Sequence, residues 1–358
     1  MKEHMEHSLG TFLNILDDIK PKKTILFSHS DHDGFTSSVL FNLYFKKRFG
    51  KTAKITYPSK EMPYYKILSN VLRDKPKYLI IMDALVYRQK FIVEKICKNT
   101  VVVNMDHHNI LNIDNDNYIN LNPHQWGKEY LNSSGLVWLI LRENMKAFFD
   151  SICWLPGIGA IQDYCFRDNK ELFNEMKRRH YLKNTQIEEL LDSEFMKMAK
   201  MINLGISNYG PGIIYEKIFQ AGMENKPTVL SNNSRLLESY QTYEKDLAQT
   251  YKVFKERKIE TDNLISFDFS GTNLRRISDI VEVDRQPKIY VGYSEGMLSF
   301  NSLFCDYNIR KLAGLFGGGG AHSKVGGART QNSFIEVVRI CNSYLKQEKE
   351  QKSLDSFF

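Results

Sequence analysis

Four short apolar runs within the first 105 residues constrain this chain more than any other feature. They are TILF (24–27), KITY (54–57), YLIIM (78–82) and TVVVNM (100–105). Each is short, apolar and rich in β-branched residues, the pattern of a strand buried on both faces. Between them, TSSVLFNLYFKKRF (36–49), MPYYKILSNVLR (62–73) and RQKFIVEKICK (88–98) space their apolar residues at the helical period. Strands alternating with helices predict an α/β fold built on a doubly wound parallel sheet. Such a sheet binds ligands beyond the carboxyl ends of its strands.

The second half reads differently. From about residue 170 the chain is charged and helical in period, with a further helical region at 234–257 and a turn signal, SNYGPG, at 207–212. A second strand-rich unit is predicted from NLISFDF (263–269), PKIYVGY (287–293) and MLSFNSLF (297–304), ending in a glycine run. A length of 358 residues suits two domains. With 42% hydrophobic and 25% charged residues the chain reads as globular. No stretch of 18 uncharged apolar residues suggests a membrane span, and the start, MKEHMEHSLGTF, lacks the basic-then-apolar order of a signal peptide. The expectation is a cytoplasmic protein. Five scattered cysteines without a CxxC pair exclude a disulfide scaffold and a cysteine-zinc ribbon. A net charge of +7 suits a polyanionic partner but decides little by itself.

The chemistry lies at the ends of the early strands. TILFS runs into His29-Ser30-Asp31-His32-Asp33-Gly34, YLIIM into Asp83, and VVVNM into Asp106-His107-His108; Asp163 follows a later apolar stretch. Taken singly, an Asp-x-Asp pair before glycine is as readily a helix cap, and Asp83 or Asp163 a capping or surface acid. Their convergence on one sheet edge carries the argument. Carboxylates this dense repel one another and resist burial unless cations neutralise them. Oxygen and imidazole donors without thiolate favour manganese, magnesium or a similar ion. Two such ions bridged by a carboxylate clamp a phosphate and activate a water, which points to phosphoester or phosphoanhydride hydrolysis.

These residues carry a resemblance. HSDHDG, Asp83, the DHH triplet at 106–108 and Asp163 resemble the four motifs of the DHH phosphoesterases. GGGGAHSKVGGA (317–328) is similar to the GGGH signature of the DHH-associated second domain. The resemblance spans roughly residues 22–345 and looks closest to RecJ-like and archaeal single-strand exonucleases. It implies residues 1–200 as the metal-binding catalytic domain, 201–258 as connecting helices, 259–348 as a smaller substrate-binding α/β domain, and 349–358 as a flexible tail. It further implies that His29, Asp31, Asp33, Asp83, His107 and Asp163 hold two Mn2+ ions, with Mg2+ or Co2+ as substitutes and Asp83 as the bridge. His108 would stand by the scissile phosphate, and Asp106 would orient a histidine from behind. His32, where relatives often carry alanine, is expected to be solvated or adjacent to a cap.

In the glycine run, closely spaced amides at Gly318, Gly319 and Gly320, with His322 and Arg329, would hold the substrate's phosphates. Its alternative is a flexible hinge. Relatives often place an arginine before the serine of the preceding strand, where this chain has Asn301-Ser302; Arg310, Lys324 or Arg329 are the candidates to compensate. KRRHY (177–181), KKRF (46–49) and NLRR (273–276) either track a nucleic-acid backbone or form solvated helix faces. Asn122-Pro123-His124 is either a turn or a substrate contact.

Finally, QKSLDSFF places Gln351, Leu354, Phe357 and Phe358 in the pattern Q-x-x-L-x-x-F-F, which resembles the box that docks on a sliding clamp of the PCNA type. The alternative is a tail that tucks onto the body. The expected protein is therefore a manganese-dependent exonuclease releasing mononucleotides from single-stranded DNA, with RNA as a further substrate, threaded between two domains and recruited by a clamp in replication or repair. The competing expectations are a phosphatase or nanoRNase for very short oligonucleotides, and a non-catalytic replication scaffold. Cleavage polarity and oligomeric state stay open.

Overall fold

The four apolar runs are strands, and a fifth joins them. The computed structural model describes residues 2–59, 62–84, 86–108, 110–318 and 324–355. The strands β1 (Thr24–Ser28), β2 (Lys54–Thr56), β3 (Tyr78–Met82), β4 (Val101–Met105) and β5 (Tyr118–Leu121) lie in the order β2-β1-β3-β4-β5, every neighbouring pair parallel. Register decides what this sheet can do. Ser28 pairs with Met82, and Met82 with Met105, so β1, β3 and β4 end level. The next residues, His29, Asp83 and Asp106, therefore leave the sheet side by side.

Helices cover both faces. On one, Ile25, Phe27, Leu79, Ile81 and Val102 pack with Ile67, Leu68 and Val71 of α3 (Tyr64–Asp74) and with Val93, Ile96 and Cys97 of α4 (Lys90–Cys97). The other face receives α2 (His32–Phe49) and α5 (Ser133–Asn144). Helix α2 is buried continuously from His32 to Phe45 because α5, α7 (Trp154–Gln162) and α11 (Pro211–Glu224) enclose it. Its buried hydroxyls are satisfied internally: Ser37 Oγ donates to the Asp33 carbonyl at 2.7 Å and Thr36 Oγ1 to that of His32 at 2.8 Å. Gly222 lets α11 approach closely, since a Cβ there would lie 2.8 Å from Leu43 Cδ1. The helices α1 (Lys2–Leu16), α6 (Lys146–Ser151), α8 (Lys170–Arg178), α9 (Ile187–Leu191), α10 (Glu194–Tyr209) and α12 (Thr228–Ser231) complete this unit.

Chain contacts divide the protein between Tyr240 and Gln241, inside the long helix α13 (Ser234–Arg257). The segment expected to be connecting helices, 201–258, is thus mostly part of the first unit: Met201, Ile202, Ile214 and Ile218 are buried there. The second unit holds a mixed sheet in the order β10-β9-β8-β7-β6: β6 (Ile259–Glu260), β7 (Leu264–Asp268), β8 (Ile289–Ser294), β9 (Met297–Asn301) and β10 (Val325–Arg329). Only β7 and β8 run parallel. Glu295 and Gly296, with φ of 51° and 77°, close the β8–β9 hairpin in the doubly left-handed turn that matches strand twist. Helices α14 (Ile277–Asp284), α15 (Ile309–Gly314) and α16 (Phe334–Asp355) flank the sheet.

Two features depart from expectation here. The end of the glycine run is not loop: Gly326 and Gly327 pair with Phe300 and Ser299 in β10. Gly318 packs against this strand, and a Cβ there would fall 2.7 Å from Ala328 Cα. The expected flexible tail at 349–358 is helical through Asp355, because Lys, Gln and Glu in LKQEKEQK are strong helix formers despite their polarity. Phe357 and Phe358, like Gly319, Gly320 and His322, lie outside the described residues, as does the Leu354 side chain. Among the described residues no helix is long and apolar enough to cross a membrane, and the five cysteines are free.

Since α2 is enclosed on every side, truncating it inside should be expensive. Leu43→Ala is expected to cost about 2–5 kcal/mol, read as a lower urea midpoint without a change in slope.

Candidate metal centre

Three strand ends and one helix end build the site. The β1 exit becomes the first turn of α2: Asp31 is its N-cap, its Oδ1 accepting from Gly34 N at 3.0 Å. The capping reading of Asp-x-Asp is realised in Asp31, whose other oxygen faces His29. Gly34 is required by proximity, for a Cβ there would meet the His29 carbonyl oxygen at 2.4 Å. Asp83 leaves β3 with φ 55°, a left-handed turn that aspartate tolerates better than most residues.

The side chains converge. His29 Nδ1 lies 2.7 Å from Asp31 Oδ2 and 3.8 Å from Asp83 Oδ2. His107 Nε2 lies 3.0 Å from Asp83 Oδ1, 3.8 Å from Asp33 Oδ2 and 3.9 Å from Asp163 Oδ2. Three ligand groups result, each with its donor atoms within 4.8 Å of one another: His29, Asp31 and Asp83; Asp33, His107 and Asp163; and Asp83, His107 and His108. The two oxygens of Asp83 face different histidines, the arrangement a bridging carboxylate needs. His108 donates from its backbone N–H to Asp106 Oδ1 at 3.1 Å, and its Nδ1 lies 2.7 Å from the same oxygen.

Much of the support has no local signature in the sequence. Asp33 accepts from Asn132 Nδ2 at 2.6 Å, Ser133 N at 2.9 Å and Ser134 N at 3.0 Å, so the positive end of α5 holds it. Gly159 of α7 admits this contact, since a Cβ would sit 2.6 Å from Asp33 Oδ1. An Asn-Ser-Ser-Gly cap before an apolar helix is the one signal that could have drawn attention to 132–135. Asn122 and His124, read as a turn or a substrate contact, form a short 3-10 turn and reach the DHH backbone: Asn122 Nδ2 donates to the His108 carbonyl at 3.0 Å, and His124 Nε2 lies 2.7 Å from that of His107. His32, expected to be solvated or adjacent to a cap, directly follows the N-cap Asp31 and is only 7% exposed because α10 covers it; its Nε2 lies 2.9 Å from Asp163 Oδ1.

Electrostatics expose the strain of crowding acids together. Burial, aided by the charges of Asp163 and Asp31, pushes Asp33 up to about 7. Burial and the charges of Asp31 and Asp33 raise Asp83 well above the usual carboxylate range. Burial opposes ionisation of Asp31 too, yet the neighbouring His29 holds it well below that range. Burial disfavours a charged His29 and His108, but Asp31 and Asp83 raise the first to about 12, and Asp106 and Asp83 the second to about 10. Asp163 Oδ2 is buried without a hydrogen-bond partner. Thiolate-free carboxylates and imidazoles, two carboxyls resisting ionisation, and one uncompensated oxygen fit divalent cations.

In the second unit, Asn301 is buried and serves its own fold: Nδ2 donates to Ser278 Oγ at 3.1 Å and Oδ1 accepts from Leu303 N at 2.8 Å. Lys324 Nζ donates to the Cys305 carbonyl at 2.7 Å. Arg329 ends β10, exposed. Arg178 and Arg179 of the KRRHY stretch both converge on the buried Glu175.

Solved structures identify the architecture. A DHH-domain protein described as a member of a family of ribosomal proteins matches with a TM-score of 0.63 at 15% identity, over 94% of this chain and 89% of that one. RecJ from Thermus thermophilus, in complex with Mn2+, matches with a TM-score of 0.65 at 13% identity over 96% of this chain. The fold is that of the DHH phosphoesterases. The chain spans about half of that RecJ (55%). A pGpG-specific phosphodiesterase, PggH from Vibrio cholerae, shares the DHH fold at a TM-score of 0.51 and 15% identity, over 90% of this chain and 98% of its own. No protein-family model and no curated protein matches the sequence.

The raised carboxyls fix the sign of a pH effect. Asp33, with its folded value near 7, stabilises the metal-free protein below its unfolded value of about 4, and that contribution is lost as pH rises toward 7. Metal binding displaces the same proton. Mn2+ should therefore raise the melting temperature more at pH 7.5 than at pH 5.5, whereas equal increments by scanning calorimetry would contradict the assignment.

Proposed function

We propose that this chain is a divalent-metal-dependent phosphodiesterase that degrades single-stranded nucleic acid from an end, DNA first and RNA as a further substrate. The observation that carries this reading is the level ending of β1, β3 and β4, which delivers His29, Asp83 and Asp106–His108 to one point, with Asp83 facing two ligand groups. His29, Asp31 and Asp83 would hold one cation, and Asp33, His107 and Asp163 a second, Mn2+ being the expected ion and Mg2+ or Co2+ substitutes. Bound there, such ions neutralise phosphate charge and lower the pKa of a water nucleophile.

The chain's own groups do the rest. Asp33 is kept from swinging by three donors at the start of α5. His108, its Nδ1 against Asp106, would offer Nε2 as the donor to a phosphoryl or leaving oxygen. Glycines 318–320, His322 and Arg329 are the candidates for holding the substrate's other phosphates. Gln351, Leu354, Phe357 and Phe358 are proposed to dock on a PCNA-type sliding clamp. In support, one relative in fold is named an exonuclease and another a phosphodiesterase.

A second reading has an observation of its own. The chain also matches a pGpG-specific phosphodiesterase over 98% of that protein, which supports a very short oligonucleotide as the substrate.

Digestion of end-labelled DNA and RNA, from dinucleotides to strands of roughly forty nucleotides, with Mn2+ separates the two. Degradation of long strands is expected; activity confined to the shortest oligomers would select the second reading. Asp83→Ala should lower kcat by about a thousandfold or more while leaving strand binding measurable; turnover near wild type would remove Asp83 from the centre. Phe357→Ala combined with Phe358→Ala should abolish clamp binding in a pull-down and spare hydrolysis.

A further inference from the structure

We propose that His32 is a positioning residue, anchored by Asn203, that commits one oxygen of Asp163 to a hydrogen bond and so presents the other to Asp33 and His107. The inference rests on the metal-centre reading and adds to it a residue that the motif resemblance leaves without a role.

Asp163 is badly placed to order itself. It caps the C-terminal end of α7, where the helix dipole disfavours a carboxylate, and the chain turns sharply after it, Tyr164 taking φ 54°. His32 supplies the counterweight from the first turn of α2, with Nε2 at 2.9 Å from Asp163 Oδ1. A carboxylate only accepts, so Nε2 is the donor and carries the hydrogen. The opposite nitrogen, Nδ1, faces the Asn203 amide on α10, 3.0 Å from Nδ2 and 3.2 Å from Oδ1, so it accepts from Nδ2 when the ring is neutral and donates to Oδ1 when the ring is charged. Partners on both nitrogens fix the ring's rotation and keep Nε2 on Asp163.

The consequence falls on Asp163. With Oδ1 committed, Oδ2 is the buried oxygen that lacks a hydrogen bond, and it belongs to the ligand group completed by Asp33 and His107. Asp163 and Asn203 stand 131 and 171 residues from His32 in sequence. Their hydrogen bonds join three separate helices at one metal position and go to Asp163, not to His29, Asp31 or Asp83. A histidine that only filled the core would show no such preference.

The test is Mn2+ binding followed by electron paramagnetic resonance and calorimetry on the full chain, without substrate. Wild type is expected to bind two ions. His32→Ala should weaken one of them by about 10–100-fold and leave the other unchanged, with kcat restored by raised Mn2+. His32→Gln, which keeps a donor, should recover most of the lost affinity. Asn203→Leu should weaken the same ion by a smaller factor, and it carries the test if His32→Ala does not fold. Wild-type affinities for both ions in folded His32→Ala, or in Asn203→Leu, would overturn the role of His32 while sparing the metal centre. Failure of the wild-type protein to bind Mn2+ at all would instead overturn the metal-centre reading.

Discussion

Everything at this site follows from a sheet register that puts acidic residues on adjacent strand ends. Because Ser28, Met82 and Met105 are aligned, the residues that follow cannot avoid one another, and burial removes the water that would screen them. The fold answers with donors brought from elsewhere: the first amides of α5 on Asp33, His29 on Asp31, and His107 against Asp83. These donors are fewer than the acids demand, as the upward displacement of Asp33 and Asp83 records. A cation site is the state in which the deficit closes.

The sequence discloses one half of this arrangement much better than the other. Strand and helix periods, together with Asp and His at strand exits, are local signals read within a few residues. Asn132, Ser133, Ser134 and Gly159 act on Asp33 from about a hundred residues away or more, and nothing near them names their target. Asn122 and His124 look like turn residues because they are turn residues; only the folded chain shows their side chains holding the DHH backbone. His32 misleads for the opposite reason. A histidine between two acids reads as solvated or cap-adjacent; it does follow the cap, but only α10, laid across it, makes it an interior group.

Close approach explains several glycines that sequence reading leaves to flexibility. Gly34, Gly159 and Gly318 each sit where a Cβ would strike backbone or a functional side chain. The glycine-rich end segment is the sharpest instance: the residues expected as an anion loop continue into β10, and Gly318 is pressed against that strand. Glycine there serves packing.

This bears on how the second unit could grip a phosphate chain. An arginine before Ser302 would add a bidentate clamp, but Asn301 is 0% exposed and spends both ends of its amide on Ser278 and the Leu303 backbone. An arginine could not occupy that volume without displacing α14, which carries Ser278. The substitution is therefore built into the packing of the unit. Lys324 does not replace the missing charge freely either, since its ammonium is already engaged by the Cys305 carbonyl. Arg329, by contrast, is exposed at the end of β10. On the proposed reading, a grip built from glycine amides and a peripheral guanidinium would discriminate phosphates by approach and shape more than by charge.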